Sequence, residues 1–98
     1  MKSGFTNDAV IVATKQQVSC KLGEEVAILS MKNSVYYGLD PVGARIWQLL
    51  QQPTSMGAIR DLIVEEYDVT PQQVESDLRE LLEKLFGEGL VELAPDSR

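Results

Sequence analysis

The residues of this chain that could take part in chemistry are few and poorly grouped. There is no histidine, so the side chain that most often moves protons near neutral pH is missing. The single cysteine, Cys20, falls where Val18, Cys20 and Leu22 alternate with polar neighbours. That pattern predicts a buried small hydrophobe, and no imidazole is available to draw off its proton. Asp61, Glu65, Glu66 and Asp68 are oxygen donors of the kind a hard cation takes, but their spacing spreads them over the polar face of a helix, where solvation is expected. Gly87-Glu88-Gly89 closes a helix rather than opening one, so it is not a phosphate loop. No Cys/His set suits zinc, and no nucleophile elbow occurs. The expectation is a protein that is not an enzyme, with no catalytic residues, metal or cofactor.

The chemistry left is recognition. Residues 35–47 read V-Y-Y-G-L-D-P-V-G-A-R-I-W. Val35, Tyr36, Tyr37 and Leu39 are strong strand formers. Asp40 offers an N-cap oxygen and Pro41 the preset φ of a first helical residue. Apolar residues then recur at helical spacing: Val42, Ile46, Trp47, Leu49 and Leu50. A strand that turns this sharply into a helix is a rigid corner. If it ends its sheet, its outer edge presents free N–H and C=O groups to an extended peptide.

The elements that must hold this corner can be read along the chain. Residues 9–13 are a short apolar run of strand type, and Gln17–Leu22 is a second strand with Gly23-Glu24 as its turn. Residues 26–31 and 35–39 form the next two strands around a turn at Lys32-Asn33-Ser34, where Asn tolerates positive φ. Connections this short make the meander antiparallel. Helices follow over residues 41–51, over about 54–67 with Ile59, Leu62, Ile63 and Tyr67 on one face, and from Pro71 onward. The third helix opens with Thr70, Pro71 and Gln73, a capping-box arrangement. It carries Val74, Leu78, Leu81, Leu82, Leu85 and Phe86, and stops at Gly87 and Gly89. Leu90, Val91 and Leu93 form a short terminal strand. The fold class is α+β, of winged helix-turn-helix type: a three-stranded antiparallel sheet, three helices and a short C-terminal strand.

A chain of 98 residues, 44% hydrophobic, predicts one domain over 9–93, with short polar ends at 1–8 and 94–98 expected to fray. No stretch is long and apolar enough to span a membrane, no signal-peptide pattern is present, and one cysteine makes no internal disulfide. A cytoplasmic location is expected. The net charge of −6 is uneven. Residues 1–53 hold five basic and four acidic side chains, whereas residues 54–98 hold four basic and eleven acidic ones. Winged helices often bind DNA through their last helix. Here that helix carries Glu75, Asp77, Glu80 and Glu83 against Arg79 and Lys84, the wrong sign for phosphate. Strand addition on Val35, Tyr36, Tyr37, Gly38 and Leu39 is favoured instead, with a groove between that strand and the third helix. Its candidate lining is Tyr36 or Tyr37, Val74, Leu78, Leu81, Leu82 and Leu85, and Glu75 and Asp77 engage basic or amide groups of the peptide. A wide leucine face also serves as core, so this pattern alone does not separate groove from interior.

The run at 36–47 resembles the strand-to-helix junction of PqqD-like proteins. The pattern Asp77-Leu78, Leu81-Leu82, Leu85, then Gly89-Leu90-Val91, and E-E-Y-D-V at 65–69, resemble that family as well. The resemblance covers residues 16–93 and is greatest to the free-standing RiPP recognition elements of lasso-peptide biosynthesis. It implies that the leader of a ribosomally made precursor docks as an added antiparallel strand on residues 35–39, packed against residues 74–85. It also implies three partners: the precursor leader peptide, a cysteine-protease-like leader peptidase, and an ATP-dependent macrolactam cyclase. Neither nucleic acid nor membrane is implied. The alternatives are a PqqD-type peptide chaperone of another modified-peptide pathway and, less favoured, a winged-helix DNA-binding protein.

Overall fold

The computed structural model describes residues 9–94, and of the expected loose ends at 1–8 and 94–98 all but Ala94 lie outside that range. Nine elements follow in order: β1 (Val10–Ala13), β2 (Gln17–Leu22), β3 (Glu25–Ser30), β4 (Tyr36–Leu39), α1 (Pro41–Leu49), β5 (Thr54–Ser55), α2 (Met56–Glu66), α3 (Pro71–Gly87) and β6 (Val91–Leu93). They form two antiparallel sheets, ordered β2-β3-β4 and β5-β1-β6. The apolar run at 9–13 therefore does not cover the meander. Ile11 pairs with Thr54 and with Leu93, which ties the N-terminal strand to the wing. No strand among the described residues covers the edge of β4.

Each helix begins where side-chain chemistry dictates. Asp40 Oδ1 accepts the Gly43 N–H at 2.8 Å, Ser55 Oγ the Ala58 N–H at 3.1 Å, and Thr70 Oγ1 the Gln73 N–H at 3.2 Å. Such caps satisfy amides that have no partner within the helix. Only half of the expected capping box forms, because the Gln73 amide donates forward to Asp77. The β4–α1 corner is tight. A Cβ at Gly43 would stand 3.2 Å from Asp40 Oδ1 and 3.3 Å from Leu39 Cβ. At the other end of α3, Gly89 takes φ +76°, the left-handed geometry that lets Leu90 N–H bond back to the Leu85 carbonyl.

One core joins the layers. Ile28 and Leu39 enter it from the sheet, Ile46, Trp47 and Leu50 from α1, Ile59 and Ile63 from α2, and Val74, Leu78, Leu82 and Leu85 from α3. The β5-β1-β6 sheet closes it with Ile11 and Val91. α1 packs against β3 and β4, so β2 overhangs and is exposed on both faces. Two expectations change as a result. Cys20 is exposed, not buried, because no element among the described residues packs on the outer face that its alternation assigns it to. In the β3–β4 turn the positive φ belongs to Ser34 (60°), and Asn33 instead uses Oδ1 to accept the Val35 N–H at 3.1 Å. Among the described residues no helix is long and apolar enough to cross a membrane.

Candidate functional site

The site starts from the backbone of β4. Its register places Tyr37 opposite Ile28 and Leu39 opposite Val26, and Ser30 N–H donates to the Val35 carbonyl at 2.9 Å. In an antiparallel pair, residues that bond inward alternate with residues whose N–H and C=O face away. Val35, Tyr37 and Leu39 are in phase and bond toward β3. Tyr36 and Gly38 therefore aim their backbone groups at the free edge. No strand among the described residues lies beyond them. Neither Pro nor a charged side chain interrupts the edge, although such residues commonly guard exposed strands.

Beside this edge runs a groove of about 560 Å³. Gly38 and Leu39 form one wall and Gln73, Val74, Asp77, Leu78, Leu81 and Lys84 of α3 the other, with Val42 of α1 and Tyr67 and Val69 of the α2–α3 turn closing the end nearest Leu39. The floor is apolar and the rim is charged. Asp40, Asp77 and Glu80 face a single cation, Lys84, among the lining residues. Asp77 is held by the Gln73 amide at 3.1 Å to each oxygen. Lys84 Nζ stands 6.0 Å from the centroid of Tyr37, a cation–π distance. The Tyr37 hydroxyl donates to Glu88 Oε1 at 2.6 Å. That bond, together with burial, raises the tyrosine above its ordinary pKa, because Glu88 favours the protonated phenol. Tyr37 is thus held between Glu88 and Lys84, and neither it nor Tyr36 is among the residues that line the groove, contrary to expectation.

The structure divides the expected residues into three groups. Gly38, Leu39, Val74, Asp77, Leu78 and Leu81 line the groove. Leu82 and Leu85 do not: they are 0% and 1% exposed and belong to the core. On α3 the positions 74, 78, 82 and 85 form one stripe under the sheets, and Gln73, Asp77, Leu81 and Lys84 lie one position around from it. The wide leucine face is therefore part interior and part groove. Glu75 lies on another side of the helix, with Gln72, Ser76 and Arg79, and its carboxylate stands 3.7 Å from Arg60 Nη1. Tyr36 is 70% exposed on the outer face of the sheet, Tyr37 faces the helices, and Val35 precedes the strand proper. Gln73, Glu80 and Lys84 were legible as the i−4, i+3 and i+7 companions of Asp77, whereas Val42, Tyr67 and Val69 come from segments whose meeting no local spacing announces. Among the described residues no cluster of potential metal ligands forms. Of the four acids around α2, Glu66 is taken by Arg45 at 2.7 Å and Asp61 by Arg60 at 3.0 Å.

Comparison with known proteins agrees with this architecture. The family model described as Coenzyme PQQ synthesis protein D (PqqD) matches residues 25–91. Among solved structures, TbiB1 in complex with the TbiA(beta) leader peptide superposes with a TM-score of 0.78, at 38% sequence identity, over 87% of this chain and 99% of that one. No curated protein matches.

Proposed function

Because the chain belongs to the PqqD family, we propose that it binds the leader segment of a ribosomally synthesised precursor peptide by strand addition to β4. The observation that carries this reading is the unguarded edge at Tyr36 and Gly38, aligned with an apolar groove rimmed by Asp40, Asp77 and Glu80. A leader running antiparallel to β4 would pair with four outward backbone groups. Every second side chain would enter the groove. An apolar residue fits near Leu39, Val42, Tyr67 and Leu78, and a basic one beside Asp77 and Glu80. The homologous TbiB1, solved with a leader peptide, supports the assignment. Leu81 carries more of it than the buried leucines, because it lines the groove while only partly sharing the core.

The finer reading is that the protein works in lasso-peptide biosynthesis, holding the leader for a cysteine-protease-like peptidase and a macrolactam cyclase without performing chemistry itself. It assigns the protein to the cytoplasm, where the precursor is made. Two measurements test the two levels. Fluorescence anisotropy with a labelled leader, taken from any short precursor peptide that a neighbouring reading frame is found to encode, should show saturable binding that Leu81→Glu weakens at least tenfold. Cleavage of the full precursor by its peptidase should accelerate when the protein is added. Binding without acceleration would remove the presentation role and leave capture intact.

A further inference from the structure

Among the described residues the β2-β3-β4 sheet has a second free edge, on β2. Beneath it, between β2 and α1, lies a separate cavity of about 660 Å³. Ser19 and Lys21 border it from β2, Val26 from β3, and Ala44 and Trp47 from α1. Trp47 is only 3% exposed, and its Nε1–H has no acceptor among the described residues. A buried N–H left without a partner is destabilising, and native structures rarely retain one without a reason. Lys21 pairs with Val26, whose side chain faces the helices, so Lys21 points to the same side. It enters none of the ion pairs found among the described residues. The outer side of β2 differs in chemistry: Val18 and Leu22 are 56% and 58% exposed there.

We propose that the β2 edge and the cleft between β2 and α1 form a second docking slot, distinct from the leader groove, for an extended partner segment that alternates acidic and apolar residues. Paired with β2, such a segment sets its carboxylates inward beside Lys21 and brings an oxygen acceptor to Trp47 Nε1. Its apolar side chains lie outward beside Val18 and Leu22. Charge argues for this occupant over others. The leader groove is lined by three acids and one cation, whereas in this cleft Glu66 already holds Arg45 at 2.7 Å, and Lys21, facing inward with Glu24 at the strand turn, is the cation left outside any ion pair found among the described residues. An inward lysine on an edge strand discourages indiscriminate pairing, because a neutral or basic strand would leave the ammonium unpaired as it lost water. A strand that supplies a carboxylate removes that penalty, so Lys21 acts as a filter. The two edges of one sheet thereby select peptides of opposite charge.

The test uses the full chain, uniformly labelled with ¹⁵N. It is titrated with acetyl-(Val-Glu)₃-amide and, in parallel, with acetyl-(Val-Lys)₃-amide. The acidic peptide should shift the Trp47 indole N–H and the amides of Ser19 and Lys21 with saturation. The basic peptide should bind that face at least tenfold more weakly. Lys21→Glu should reverse the preference, and Trp47→Phe, which keeps an aromatic core residue, should weaken the acidic peptide about threefold to tenfold, the range of one lost hydrogen bond. Equal binding of both peptides, shifts confined to β4 and α3, or no saturable shift at millimolar peptide would overturn the proposal. It stands apart from the leader reading: a Gly38→Pro variant that has lost the leader should still respond to the acidic peptide.

Discussion

Replacing Gly38 by proline separates strand addition from every other way of filling the groove. The antiparallel phase points the Gly38 N–H away from β3, toward the free edge. Proline deletes that donor and puts a ring carbon in its place. The folded protein should lose little: the N–H is not part of the ladder, edge strands tolerate proline on the solvent side, Gly38 has no positive φ, and a Cβ there meets nothing within 4 Å. A cost within about 1 kcal/mol is expected. The bound leader loses much more. One net backbone hydrogen bond is worth about 0.5–1.5 kcal/mol, and the leader carbonyl stranded in the interface adds about 1–3 kcal/mol. Together, about 2–4 kcal/mol weakens Kd about 30-fold to 1000-fold. Anisotropy with the labelled leader measures the loss, and thermal unfolding by circular dichroism confirms the fold. Gly38→Ala, which retains the N–H, should bind like the parent. A leader N-methylated at the residue that pairs with Gly38 should fail in the same way as the proline variant, from the ligand side. Wild-type affinity in a folded Gly38→Pro protein would refute the strand-addition reasoning, as would an equal loss in Gly38→Ala.

Three further outcomes follow from the geometry. Leu81→Glu should weaken leader binding at least tenfold while the protein stays folded, because Leu81 borders the groove; Leu82→Glu, in a fully buried position, should instead unfold it, and denaturation curves of the two variants distinguish rim from core. Thr70→Ala removes the α3 N-cap and should cost about 1 kcal/mol, read as a Tm lower by about 4–8 °C. The Glu66 carboxyl is held below its ordinary value of 4.5, chiefly by its hydrogen bond to Arg45. The folded state therefore binds that proton less readily than the unfolded chain, so the pair's contribution is present above about pH 4.5 and is lost as pH falls through the depressed folded value. Urea denaturation should show Glu66→Gln less stable than the parent at neutral pH and the two converging in acid.

The local elements were legible because their signals are local. Asp40-Pro41, Ser55 and Thr70-Pro71 mark helix starts through bonds that close within three residues. Gly89 marks a helix end through its own dihedral. Alternation and short turns were enough to order β2, β3 and β4 as an antiparallel meander. Alternation does not say what packs on each face, however. The same pattern that buries Ile28 leaves Val18, Cys20 and Leu22 exposed, because α1 lies under β3 and β4 but not under β2.

The candidate site shows the same division. Sequence by itself determined the corner at residues 35–47, the acidic third helix, the lack of histidine, and the last strand of an antiparallel meander. All of these follow from residue identity and from spacings within a few residues. Tertiary structure alone decided which leucines are groove and which are core, since 78, 81, 82 and 85 share one broad helical face and only the neighbouring strands reveal where it is covered. It decided as well that β1 joins the wing, so that β4 has no outer partner among the described residues, and that Tyr67 and Val69 meet Val42 along the groove. These facts depend on contacts between segments distant in the chain. No periodicity encodes them, because the free energy that selects them comes from burying those surfaces together.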